Sequence, residues 1–131
     1  KGGTAPISDV IDYGEQVKAK GLTLLYGPGN DLVSCTALTA AGVHLILFTT
    51  GRGTPFGAPV PTLKIASNSP LANHKKNWID FNAGRVAEGE SLDLAGERLL
   101  EAVIAAASGK KTKSEENGFR EISIFKDGVV L

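Results

Sequence analysis

The sequence predicts an α/β protein, a mostly parallel sheet of about four to five strands with helices on both faces. Three observations lead there. Short apolar runs such as LTLLYGPGND, VHLILFTT and TLKIASNSP end in turn residues, as strands covered on both faces do. Segments with helical start and stop signals lie between the runs. Polar side chains crowd the residues just after each run, and in parallel sheets ligands sit at the carboxyl ends of the strands.

Element by element, a flexible start leads into residues 10–20, which read as a short helix or a turn ending at Gly21. Residues 22–26 form the first strand, closed by Gly27, Pro28 and Gly29. Asn30 or Asp31 caps a helix over residues 32–41, with Gly42 placed for the left-handed residue beyond its end. Ser, Thr, Cys and Ala dominate that helix and let it lie close on a sheet. Residues 43–50 make the second strand, suited by Val, Ile, Phe and Thr to a buried pleated surface. FTTGRGTPFGAPVP, residues 48–61, carries the chain onward; Thr54, Ala58 and Val60 each precede a proline, which imposes extended backbone without a helical turn. Residues 62–67 are the third strand, Ser69 caps and Pro70 opens a short helix to residue 76, and residues 78–81 are a fourth strand that exits through Asn82, Ala83, Gly84 and Arg85. Over residues 91–108 Leu92, Leu99, Leu100, Val103, Ile104 and Ala107 recur at helical spacing, with Asp93 and Glu97 in the early turns. Residues 110–118 read as a polar linker and 119–125 as a last edge strand before an Asp127-Gly128 turn.

At 131 residues the chain is the size of one domain, spanning residues 1–131. Fourteen Lys and Arg balance fourteen Asp and Glu with no basic stretch, which argues against a nucleic-acid partner. No run has the length of a membrane span and no signal-peptide pattern opens the chain, so no membrane role and a cytoplasmic location are expected. Cys35, the single cysteine, excludes an internal disulfide and has no CxxC partner for redox or zinc chemistry. The chain contains no methionine, which suggests a piece of a longer polypeptide holding part of a site.

The polar exits define the candidate site. Asn30 and Asp31 follow the first strand, Thr50, Gly51, Arg52, Gly53 and Thr54 the second, Asn68 and Ser69 the third, and Asp80, Asn82 and Arg85 the fourth. Such a ring of hydroxyl, amide, carboxylate and guanidinium groups suits a small, anionic, oxygen-rich ligand. Arg52 offers a planar fork that matches a carboxylate with two parallel hydrogen bonds, and its flanking glycines allow close backbone approach. Asn and Thr side chains can pair with sugar hydroxyls. The competing reading gives Arg52 a structural Asp partner and leaves the Gly and Pro residues to shape a crossover. Lys64, mid-strand between apolar neighbours, must snorkel, pair or act. His44, inside a strand, reads first as a hydrogen-bonded core residue, and His74 with Lys75 and Lys76 as a solvated helix end. Asp80 is a cap, an ion-pair partner or a ligand for a divalent metal. Neither GPGN nor GRGTPFG has phosphate-loop or dinucleotide spacing.

PGND, LFTTGRGTPFG, VPTLKIASNSPLA and WIDFNAG resemble the C-terminal domain of the altronate dehydratase family, which also holds galactarate dehydratase and a sulfolactate sulfo-lyase subunit. The likeness runs in order from about Gly3 to Leu131, and REISIFKDGV near the end favours altronate over galactarate. It implies a full-length enzyme with further domains, which would be this chain's partners, and compatibility with a homo-oligomer. It also implies elimination of water from D-altronate to give 2-keto-3-deoxy-D-gluconate with a divalent ion, Fe2+ or Mn2+. In that setting Arg52 holds carboxylate charge, and Lys64, His44 or a residue outside the chain is the base. The chain alone is then expected to be inactive. A scaffold or assembly domain, docking its glycine-proline loop on a neighbour, is the rival expectation.

Overall fold

The computed structural model describes residues 3–124. The chain forms two compact units, Lys1–His44 with Ile122–Leu131, and Leu45–Glu121.

In the first unit, β1 (Ile7–Ile11) and β2 (Leu22–Leu25) make a parallel two-stranded sheet, with Val10 opposite Leu24 and Ile11 opposite Leu25. Residues 10–20 are therefore partly strand, with no helix among them. β1 lacks a sequence signal because only Ile11 is buried in it, so no apolar alternation marks it. Helix α1 (Asp31–Ala40) follows β2 and starts where expected: Asn30 Oδ1 accepts the N–H groups of Leu32 at 3.1 Å and Val33 at 3.2 Å. Val33, Cys35 and Ala37 are its buried residues.

The second unit is built on a three-stranded parallel sheet in the order β3 (Ile46–Thr50), β4 (Thr62–Ala66), β5 (Phe81–Asn82). The strands thus belong to two small parallel sheets, and the single sheet expected from the sequence is not formed. β4 is central and all five of its residues are buried. Its alternation divides the core. Leu63 and Ile65 pack with Phe81 and with Ala102 and Ala106 of α3 (Leu92–Ala107), while Ala66 packs with Ile79 and with Leu71 of α2 (Ser69–His74). The sheet is in this way covered by helices from both sides.

Several boundaries differ from the sequence reading. β3 begins at Ile46, so His44 precedes it in a bend. The cap of α2 is Asn68, one residue earlier than Ser69, and its side chain accepts the Leu71 N–H at 2.9 Å. The fourth strand shrinks to two residues and is followed by a 3-10 turn (Gly84–Glu88). The polar linker contains a short helix, α4 (Lys113–Glu116), held by a reciprocal cap between Thr112 and Glu115. Residues 119–124 form no strand: Glu121 is fastened to Gly57, donating its N–H to the Gly57 carbonyl at 2.7 Å and accepting the Gly57 N–H at 2.9 Å. Phe125 and the Asp127-Gly128 turn lie outside the described residues. No helix among the described residues is long and apolar enough to cross a membrane.

Candidate functional site

The carboxyl ends of β3, β4 and β5 lie side by side, because Thr50 is opposite Ala66 and Ala66 opposite Asn82. The segments leaving these ends knit together through their own polar groups. Asn68 Nδ2 donates to the Gly51 carbonyl at 3.0 Å while its Oδ1 caps α2. Asn82 Nδ2 donates to Ser69 Oγ at 2.9 Å, and its Oδ1 accepts the Gly84 N–H at 2.9 Å. Thr50 Oγ1 accepts the Gly53 N–H at 2.9 Å, closing a tight turn in which Gly53 takes φ +78°, a conformation that disfavours a side chain.

Arg52 stands at the tip of this turn. Its backbone is restrained on every side: the carbonyls of Gly51, Arg52 and Thr54 each accept from a side-chain nitrogen, of Asn68, of Lys75 (3.1 Å) and of Lys64 respectively. The Arg52 side chain is exposed, and among the described residues no carboxylate pairs with it. The structural-ion-pair reading of Arg52 therefore finds no partner among those residues. A held backbone carrying an exposed guanidinium with no carboxylate partner among the described residues is an arrangement able to take an anion.

Lys64 neither snorkels nor reaches solvent. It is 0% exposed, donates to the Thr54 carbonyl, and its ammonium faces the rings of Phe56 at 5.2 Å and Phe119 at 5.9 Å. Asp80 is likewise built in: Oδ2 accepts the Lys64 N–H at 2.8 Å and Oδ1 the Lys113 N–H at 2.7 Å, so it ties β4 to the first residue of α4. Burial pushes the Asp80 carboxyl above its ordinary 3.8, opposed by those two backbone N–H groups and by the positive charges of Lys113 and Lys64. Arg85 pairs with Glu90 at 3.6 Å, away from the Arg52 turn in its bonding.

The ring expected from four strand exits is thus three exits in one unit. Thr50, Gly51, Arg52, Gly53, Thr54, Asn68 and Asn82 belong to the second unit, while Asn30 and Asp31 lie in the first, on the other sheet. His44 is exposed and outside any strand, which corrects its reading as a core histidine. Among the described residues no three His, Cys, Asp or Glu side chains converge on a point that could hold a metal ion, and both Asp80 oxygens already accept backbone N–H groups. The donor set of the described residues does not make a self-contained metal site. Lys75, expected as part of a solvated helix end, reaches back to the Arg52 carbonyl. A lysine about two turns beyond the Asn68 cap, at the end of the short helix, was the available signal.

A small parallel sheet covered by helices, with an exposed arginine among glycines and asparagines at its carboxyl edge, is an α/β arrangement of the kind in which ligands meet the carboxyl ends of the strands. The sequence model of the family described as "D-galactarate/Altronate dehydratase, C-terminal" matches residues 1–130, and the chain belongs to that family. It is 50% identical over its whole length to the altronate dehydratase of Escherichia coli (strain K12), covering 26% of that protein. The altronate dehydratase of Bacillus subtilis (strain 168) is 51% identical, with 100% of the chain and 27% of that protein covered. Galactarate dehydratase (L-threo-forming) of E. coli is 36% identical over 99% of the chain and 26% of that protein. The chain thus spans about a quarter of the length of these relatives.

Proposed function

We propose that the chain is the C-terminal domain of a hydro-lyase that removes water from D-altronate to give 2-keto-3-deoxy-D-gluconate, and that Arg52 binds the substrate carboxylate. One observation carries the reading: the turn bearing Arg52 is held by three side-chain donors while its guanidinium is left without a partner among the described residues. The chemistry needs such a group. A proton beside a carboxylate is weakly acidic, and the enediolate that forms on its removal spreads charge onto the carboxylate oxygens, where a fixed cation stabilises it. Asn68, Asn82 and Thr50 shape the wall around that cation, since each spends polar atoms on internal bonds. The greater similarity to altronate dehydratases than to galactarate dehydratase supports the choice of sugar acid. The base, and ligands for the divalent iron or manganese, would come from the remaining domains of the polypeptide in a cytoplasmic enzyme. Arg52→Lys in the full-length enzyme keeps the charge and loses the fork, and is expected to lower kcat/KM for D-altronate by about a hundredfold with an unchanged melting temperature. Near-normal turnover in that variant sinks the proposal.

A further inference from the structure

A lysine with no exposed surface in the middle of a central strand asks for an explanation that packing does not supply. Its main chain is fixed by the Phe48–Lys64 register on one side and by Asp80 on the other. From that anchor its side chain runs to the loop and ends at the Thr54 carbonyl, two residues beyond Arg52. Phe56 and Phe119 present ring faces to the ammonium, and Phe56 is itself set by an edge-on contact with Phe48, with ring centres 5.1 Å apart and planes at 89°. The strand is rigid, the loop has no helix or ladder of its own, and the lysine is a strut from one to the other. Asn68 and Lys75 hold the solvent side of the same turn through Gly51 and Arg52.

We infer that Lys64 is a positioning residue for Arg52: its buried ammonium pins the Thr54 carbonyl to β4 and thereby fixes where the guanidinium meets the substrate carboxylate. The inference rests on the reading of Arg52 given above. It separates Lys64 from the role of general base, because a group with no solvent-facing atom reaches a ligand only through the loop it holds.

The test uses the full-length polypeptide with Lys64→Met, which keeps the apolar stem and removes the donor, and Lys64→Gln, which restores a neutral donor. Two quantities are read: hydrogen exchange of a peptide covering residues 51–56, and kcat and KM for D-altronate across pH. Lys64→Met is expected to speed exchange in that peptide about tenfold and to lower kcat/KM about tenfold, with the shape of the pH profile unchanged. Lys64→Gln is expected to recover most of both losses. Loss of kcat together with one limb of the pH profile, at unchanged loop exchange, overturns the inference and makes Lys64 a base. Unchanged exchange with unchanged kinetics overturns it too, and so does failure of both variants to show a native circular-dichroism spectrum, since the lysine then holds the core and not the loop. If the wild-type enzyme does not turn over D-altronate, the proposed function fails, while the exchange measurement still decides whether Lys64 pins the loop.

Discussion

Asp80 joins β4 to the start of α4. Its position between Ile79 and Phe81 leaves cap, ion pair and metal ligand open; in the structure its oxygens accept the N–H of Lys113, the first residue of α4, and that of Lys64 in β4. Replacing it by Ala leaves two N–H groups without acceptors, and a loss of about 3 kcal/mol of stability is expected in urea unfolding. The pH dependence follows from the direction of its shift. Burial raises the folded carboxyl above 3.8, so the folded form holds its proton more tightly than the unfolded chain does. The stability this adds is complete below 3.8 and is lost as pH rises through the raised value. Asp80→Asn cannot titrate there. The wild type should therefore lose stability relative to Asp80→Asn on going from about pH 3 to pH 6; a gain over that range contradicts the assignment. The place of Arg52 just past a strand end was legible at this scale, because an apolar run stops at Thr50 and glycines flank the arginine. The partner of Lys64 was not, because the Thr54 carbonyl is ten residues away in sequence and carries no residue-type signal.

Among the elements, those that joined an end signal to an apolar period were readable, and those without the period were not. The Ser91 cap and the helical period mark α3, and the structure places the helix at Leu92–Ala107 with Ser91 Oγ accepting the Leu94 N–H at 3.2 Å. α4 carried a capping box, Thr112 to Glu115, inside a polar stretch, and the polarity obscured it. β5 is short because the chain must leave the sheet at once to bring Gly84 under the start of α2. A Cβ on Gly84 would meet Ser69 N at 2.3 Å and the Asn68 carbonyl carbon at 2.4 Å, and both are backbone atoms that cannot swing away. Gly84→Ala is accordingly expected to cost about 3 kcal/mol, seen as a lower urea midpoint at constant slope. It should also weaken D-altronate binding by full-length enzyme, because Asn68 is the donor that holds Gly51. Unaltered stability in that variant means the helix start can move freely.

For the molecule as a whole, the sequence conveyed the α/β class and the parallel sense of the strands, and missed that they divide between two sheets. The reason is physical. Periodicity reports how deeply a strand is buried, and β1, with a single buried residue, gives almost no periodic signal, so the second sheet could not be counted. Which strands share a sheet depends on pairings that no local pattern records. The turn after β3 was legible for the opposite reason: its glycines, prolines and arginine are each unusual where they stand. Lys75, which joins that turn to the rest of the unit, places its ammonium 4.5 Å from the ring centre of Trp78, the one tryptophan in the chain. The indole therefore lies where a movement of the Arg52 carbonyl, carried by Lys75, would alter the charge over the fluorophore. Titrating this chain with a sugar acid should change the Trp78 emission when the guanidinium engages, and Lys75→Met should silence the response. A signal that persists at full amplitude in Lys75→Met would show that the dye-free reporter senses something other than the turn.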